Sequence, residues 1–364
     1  MSSLHYMTTS KAVVAVVCVC LVLTACEPAV RDPLKLEDQG KLTDQGKLVD
    51  QQNLPVWPHP PAEQKLAYIM SFSRPLDLGI KKDLGQKLRE LITGPSNIHL
   101  DRPMAIAVGV AGEIFVADPG VQGVHKFDIS GSSYQLIQRE NGRALPSPVA
   151  LAVGPDGEVY VSDSLLGGLF VIETGAKEAV PLPLRVLIAQ PTGVALDPTT
   201  GRIYLVDTGD HKVKIFTRDG TFLKSFGRRG TADGEFNFPT MIWRNQKGHF
   251  LITDSMNFRI QVFDENGQFL YKFGEPGSVT GTHAQPKGIA TDREGHVYVV
   301  DSLFHTMQVF DPSGTFLLNV GEQGQGEGEF WLPTGIFIGE QNIIYVADSF
   351  NSRIQVFHYI GGNP

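Results

Sequence analysis

The sequence predicts an all-β fold, a six-bladed β-propeller of four-stranded antiparallel blades. Three observations carry that expectation. An apolar strand ending in Asp recurs six times, at Asp118, Asp163, Asp207, Asp254, Asp301 and Asp348. The spacings between these residues are 45, 44, 47, 47 and 47 residues, a fixed period of the kind that repeat architectures show. Between the markers lie short strands and Gly-containing turns, with no helical periodicity.

Each unit reads in the same order. A Pro-led strand such as "QPTGVALD" or "QPKGIATD" comes first, then a turn such as "PDGE" or "REGH". The strand that carries the Asp follows, then a short loop and a third strand such as "KVKIF", "RIQVF" or "TMQVF". A second turn ("RDG", "ENG", "PSG") leads to a fourth strand, "FLKSFG", "FLYKFG" or "FLLNVG". A sheet of four short strands that is apolar on both faces must stack against neighbours, and radial stacking closes a propeller. The units span about 102–145, 146–189, 190–237, 238–284, 285–331 and 332–364.

The unit P-x-G-[IV]-A, then [IV]-Y-V-x-D-S, N-x-R-I-Q-V-F-D and G-x-F, resembles the NHL repeat over residues 102–357. Units three to six follow the pattern closely. Units one and two depart from it in their third strands, "VQGVHKF" and "LLGGLFVI".

The sixth unit stops after its third strand. The stretch "AYIMSFS", within residues 65–73, is patterned like a fourth strand and has no companions of its own. Pairing it with Arg353 to Tyr359 would close the ring and tie the two ends of the body together. As a stray surface strand it would leave the last blade three-stranded. Residues near 79–93 place Ile80, Leu84, Leu88, Leu91 and Ile92 at helical spacing, which predicts one short helix. It either packs on the rim or presents its basic face to anionic lipid.

Upstream, residues 1–25 have the basic start, short apolar run and small-residue end of an export signal, too short to span a bilayer. "LTAC" resembles the bacterial lipobox, which implies acylation of Cys26 and a bacterial lipoprotein; an ordinary secretory signal is the alternative. Residues 26–61, with a six-residue tandem and "LPVWPHPP", read as a lipid-anchored flexible tether, and 62–364 as the propeller body. Glu27 after that Cys favours the outer membrane or the periplasmic face of the cell envelope.

The chain carries a formal charge of −8, and loss of Lys11 with the signal makes it −9, which disfavours a nucleic-acid partner. Of its 3 Cys, two lie inside the signal and the third is Cys26, so disulfides, thiolate zinc sites and Cys nucleophiles are not expected in the body.

The candidate site is the face shared by the loops that lead into each blade and the loops after each Asp. The channel-mouth positions, one after each leading Pro, are Met104, Val149, Thr192, Thr240, Lys287 and Thr334. The peptidylglycine amidating lyase, an enzyme of similar build, carries zinc-binding His after the corresponding Pro and a catalytic Tyr two residues after one Asp. Here the mouth holds no His, and the residues two past each Asp are Gly120, Leu165, Gly209, Met256, Leu303 and Phe350, so that chemistry does not carry over.

His211 and His305, each four residues after its Asp, are the weak metal candidates; two imidazoles without a third ligand make a poor zinc site. The six Asp residues read as a structural ring, because identical residues in every blade fit turn capping. "GRRGTADGEF" and "GEQGQGEGEF" lack phosphate-loop spacing and read as inter-blade connectors.

The loops after Asp carry Leu165, Leu166, Met256, Phe258, Leu303, Phe304 and Phe350, where NHL repeats commonly have Gly and Asn. These residues either gather into a partner-binding face or fold back between blades. The resulting expectation is a lipid-anchored protein-binding or scaffold module in a cell-envelope assembly, with no cofactor and no catalytic residue assigned. The alternative is a metal-dependent lyase or lactonase with its site in the channel.

Overall fold

The computed structural model describes residues 54–81, 98–339 and 341–361. Six blades, each built from the strands the repeat predicts, are arranged in five sheets. Blade three is typical: Pro191–Leu196, Ile203–Asp207, Lys212–Phe216 and Phe222–Phe226 pair in that order, all antiparallel. The strand that ends in Asp is buried along its whole length in every blade, because both faces of the sheet meet a neighbouring blade. The third strands of the degenerate units are present, at Gly123–Asp128 and Gly168–Ile172.

The innermost strands pack closest to the axis, and glycine permits the approach. A Cβ on Gly193 would lie 2.7 Å from the Ile242 amide nitrogen, and one on Gly335 would lie 2.4 Å from the Met104 carbonyl oxygen. Either contact would push adjacent blades apart.

The sixth blade is completed as the sequence predicts. Leu66–Phe72 runs antiparallel to Arg353–Tyr359, with Leu66 opposite Tyr359 and Phe72 opposite Ile354. Phe72 then enters a core shared by blades six and one, with Leu78, Ile80, Leu100 and Val356. The helix expected near 79–93 falls mostly on residues 82–97, outside those described; the segment leading to it, Pro75–Leu78, is a single 3-10 turn closed by Gly79 at φ 73°.

Two features depart from four-stranded regularity. Residues 54–61, expected as the end of a tether, are part of the folded body: Val56–Trp57 adds a fifth strand to blade six, opposite Ala67 and Leu66. The Trp57 indole is buried, lying edge-on to Phe357 at 5.8 Å and filling the space over Gly328. Leu54 packs in the same cluster with Leu318 of blade five. In blades three and four the residues equivalent to Leu318 are Lys224 and Tyr271, which reach across to the next blade's Asn266 and Pro312 carbonyls. Leu318 has no polar head to make that bridge, and Leu54 and Trp57 fill the seam instead. The second departure joins blades one and two, whose outer strands Ser133–Arg139 and Glu178–Leu182 meet in parallel at Gln138–Glu178 and Arg139–Ala179, fusing eight strands into one sheet.

Candidate functional site

The six Asp side chains lie beneath the loop face, fully buried, and their carboxylates hold its loops in place. Each accepts backbone N–H groups from the loop that leads into its own blade. Asp118 takes those of Asp101 (2.7 Å) and Arg102 (2.9 Å), Asp207 those of Ala189 and Gln190, and Asp301 those of Ala284 and Gln285. Asp163 accepts from Ser147, Asp254 from Asn237 and Asp348 from Trp331. In three blades a cation of the third strand takes remaining capacity: Lys214 Nζ on Asp207 (2.7 Å), Arg259 Nε on Asp254 (2.8 Å) and Arg353 Nε on Asp348 (2.7 Å). In those three blades the buried charge is paired, while Asp163 and Asp301 accept further backbone N–H groups from the loops that follow them, Leu165 and Leu166 in one and Leu303 and Phe304 in the other. Occupied lone pairs are the condition under which burial is tolerated. These carboxylates are engaged by loop and strand donors of their own blades.

The channel-mouth residues are half-buried. Thr192, Thr240 and Thr334 share their hydroxyls with Thr208, Ser255 and Ser349 at 2.7, 2.8 and 2.7 Å. Those partners in turn donate to the leading proline of the next blade: Thr208 to Pro239, Ser255 to Pro286 and Ser349 to Pro103. Ser302 makes the same bond to Pro333 in blade five, where Lys287 replaces the Thr. Burial holds the Lys287 ammonium below its ordinary pKa.

His211 and His305 sit at the left-handed residue that ends the turn after Asp, with φ of 55° and 56°. Each Nδ1 accepts a backbone N–H from the loop leading into the next blade, Phe238 N to His211 at 3.1 Å and Leu332 N to His305 at 3.0 Å. The two imidazoles are therefore inter-blade ties. Among the described residues the cluster with metal-ligand spacing is Asp292, Glu294 and His296, in a turn between the first two strands of blade five. There Asp292 already accepts from His296 Nδ1 (2.8 Å) and the Tyr298 hydroxyl (3.0 Å).

Five of the seven apolar loop residues are exposed to solvent. Leu165 is 72% exposed, Met256 51%, Leu303 55% and Phe350 57%; Leu166 is also exposed, while Phe258 and Phe304 are half-buried. Three further residues join them that the Asp-loop pattern does not reach, Leu187, Phe238 and Trp331, all exposed on loops that lead into a blade. The Phe238 ring stands edge-on to His211 at 4.7 Å, and Trp331 lies 6.3 Å from Phe350. The backbone ties the two loop sets together, Met256 N to Asn237 O and Phe350 N to Trp331 O. The result is an arc of large apolar side chains on a backbone fixed by buried carboxylates. The signal for the missed three was an aromatic or Leu one to four residues before the leading Pro.

The axial cavity behind the mouth has a volume of about 250 Å³ and is lined by the innermost strands of all six blades.

Fold and repeat together define the class, a six-bladed β-propeller built of NHL repeats. The NHL repeat family matches residues 189–216, and a family described as "6-bladed beta-propeller" matches residues 291–363. Among curated proteins, the human E3 ubiquitin-protein ligase NHLRC1 is 34% identical over 65 residues, 18% of this chain and 16% of that protein. The chain thus spans about one sixth of the length of the curated relatives it matches. Similar solved structures include an auxiliary nutrient binding protein from Bacteroides thetaiotaomicron (TM-score 0.58, 12% identity, 72% of this chain and 70% of that one). Virginiamycin B lyase from Staphylococcus aureus is another (TM-score 0.53, 16% identity, 71% of this chain and 95% of that one). At these identities the likeness is one of fold.

Proposed function

We propose that this propeller is a non-enzymatic protein-binding module, exported and tethered to the cell envelope through Cys26, and that its loop face docks the partner. The observation that carries this reading is the arc of exposed Leu, Met, Phe and Trp side chains on a rigid loop face, the composition and setting of an interface anchor. Loops with six buried carboxylates beneath them present those side chains with little ordering cost on binding. A structurally similar protein described as nutrient binding is compatible with a binding role.

Cross-linking followed by capture from the native membrane tests partner and address together. Replacing Leu303, Phe304 and Phe350 by Ser removes the central anchors and is expected to abolish capture of the partner. Retention of every captured protein by that variant would place the binding surface elsewhere. Cys26→Ala separately tests the tether and is expected to move the protein from the membrane fraction to the soluble one. The lyase or lactonase reading gains no support at the loop face, where the mouth residues carry no imidazole and the Nδ1 atoms of His211 and His305 are engaged.

A further inference from the structure

The axial cavity has a chemistry distinct from the loop face. Its wall is apolar for most of its depth, built from Ala, Val, Leu, Ile and Met of the six innermost strands. Two aromatic side chains line it three residues along the strands from the mouth positions Thr240 and Thr334. Trp243 and Phe337 stand edge to face at 5.9 Å, and the Trp243 indole is fixed by its Nε1–H donating to Thr291 Oγ1 at 3.0 Å. Arg244, the next residue on the strand, is the charged side chain among those that line the cavity. Asp197 of blade three holds one of its terminal nitrogens at 3.2 Å. Its Nε is buried and has no hydrogen-bond partner among the described residues.

A concave apolar wall with a few fixed polar groups is the usual composition of a small-molecule site. A guanidinium oriented by a carboxylate behind it, with a donor unused, suits an anionic oxygen. We propose that the channel binds a compact amphiphilic monoanion, its apolar or aromatic body against Trp243 and Phe337 and its carboxylate on Arg244. Asp197 is the positioning residue for that cation. This site is independent of the loop face, and either proposal stands if the other falls.

Phenylbutyrate is the probe, titrated into the full chain by calorimetry and by tryptophan fluorescence, with phenylbutanol as its neutral counterpart. The expected result is saturable phenylbutyrate binding that Arg244→Gln weakens by about tenfold or more, the scale of one lost charge-assisted hydrogen bond. Phenylbutanol should bind that variant and the parent equally. The fluorescence change should persist in Trp331→Phe and vanish in Trp243→Phe. Arg244→Lys, which keeps the charge and its pairing with Asp197, should bind more tightly than the Gln variant, and thermal unfolding of each variant reads whether it is folded. Three results would overturn the proposal: no binding at millimolar phenylbutyrate, equal affinity in a folded Arg244→Gln protein, or loss of the fluorescence change in Trp331→Phe, which would move the probe to the loop face.

Discussion

The Ser349 hydroxyl donates to the Pro103 carbonyl at 2.5 Å, joining residues 246 apart in sequence. Blade six is thereby stitched to blade one by the same bond that joins blades three to four, four to five and five to six. Ring closure uses the repeated bond once more, and Leu66–Phe72 adds the strand that the repeated bond cannot supply.

That closing strand sets the first prediction. Phe72 is buried in the core between blades six and one, with Phe127 edge-on at 5.6 Å. Phe72→Ala should cost about 3–5 kcal/mol in urea unfolding. Deleting Lys65 to Ser73 should lower the unfolding temperature, while one backbone cut between Lys81 and Ile98 leaves the ring paired and melts later. Unfolding of the deleted and the cut protein at the same temperature would refute the closing role.

A second prediction concerns the carboxylate ring. Asp254 accepts from Asn237 N, Asn257 Nδ2, Arg259 Nε and Gln261 Nε2. Asp254→Ala strands the buried Arg259 cation and should destabilise by about 3–5 kcal/mol, measured by chemical denaturation. By contrast, Leu165→Ser and Phe350→Ser, at exposed positions, should each stay within about 0.5 kcal/mol of the parent.

The third follows from His283, whose imidazole occupies in unit four the buried position that Phe236 and Phe330 fill in units three and five. Burial pushes its pKa down from 6.5 to about 4, against a smaller upward pull from Asp301. The folded state therefore binds fewer protons than the unfolded chain between those values. Stability is fully present above pH 6.5 and falls as pH drops toward 4, by about 3 kcal/mol in total for this group. His283→Phe should flatten that part of the pH–stability curve; a slope equal to the parent's would reject the assignment.

The fourth addresses blade spacing. Gly335→Ala places a methyl group against the Met104 carbonyl and should cost about 1–3 kcal/mol, read from the unfolding midpoint. Gly142→Ala offers a control for a crowding-free site, since no atom lies within 4 Å of its added Cβ, although its φ of 66° carries a backbone cost of its own.

Much of this was legible in the chain itself. The Asp period gave six blades, and the isolated "AYIMSFS" gave the closing strand, because a periodic pattern exposes whatever is missing from it. What sequence spacing left unread depends on contacts between distant residues. Trp57 stands in a Pro-rich stretch, and its place in the fold depends on pairing with Leu66, on Phe357 and on the room that Gly328 leaves for its indole. The histidines looked like paired metal candidates; their equivalence reflects a turn geometry, in which His211 occupies the left-handed position that Gln122, Phe258 and Ser352 occupy elsewhere. Exposure of the apolar loop residues had two possible outcomes in sequence, and only the backbone's path decides between them.

The unequal finishing of the outer strands has a consequence for self-association. Blades one and two cap each other, and Val56–Trp57 caps blade six. Among the described residues, Phe222–Phe226, Phe269–Phe273 and Phe316–Val320 have no strand on their outer side, and each displays an exposed Leu: Leu223, Leu270 and Leu317. Unpaired backbone beside apolar side chains is a template for intermolecular strand addition. Aggregation on storage should begin on that half of the circumference, and a lysine at Leu270 would act as a gatekeeper against it.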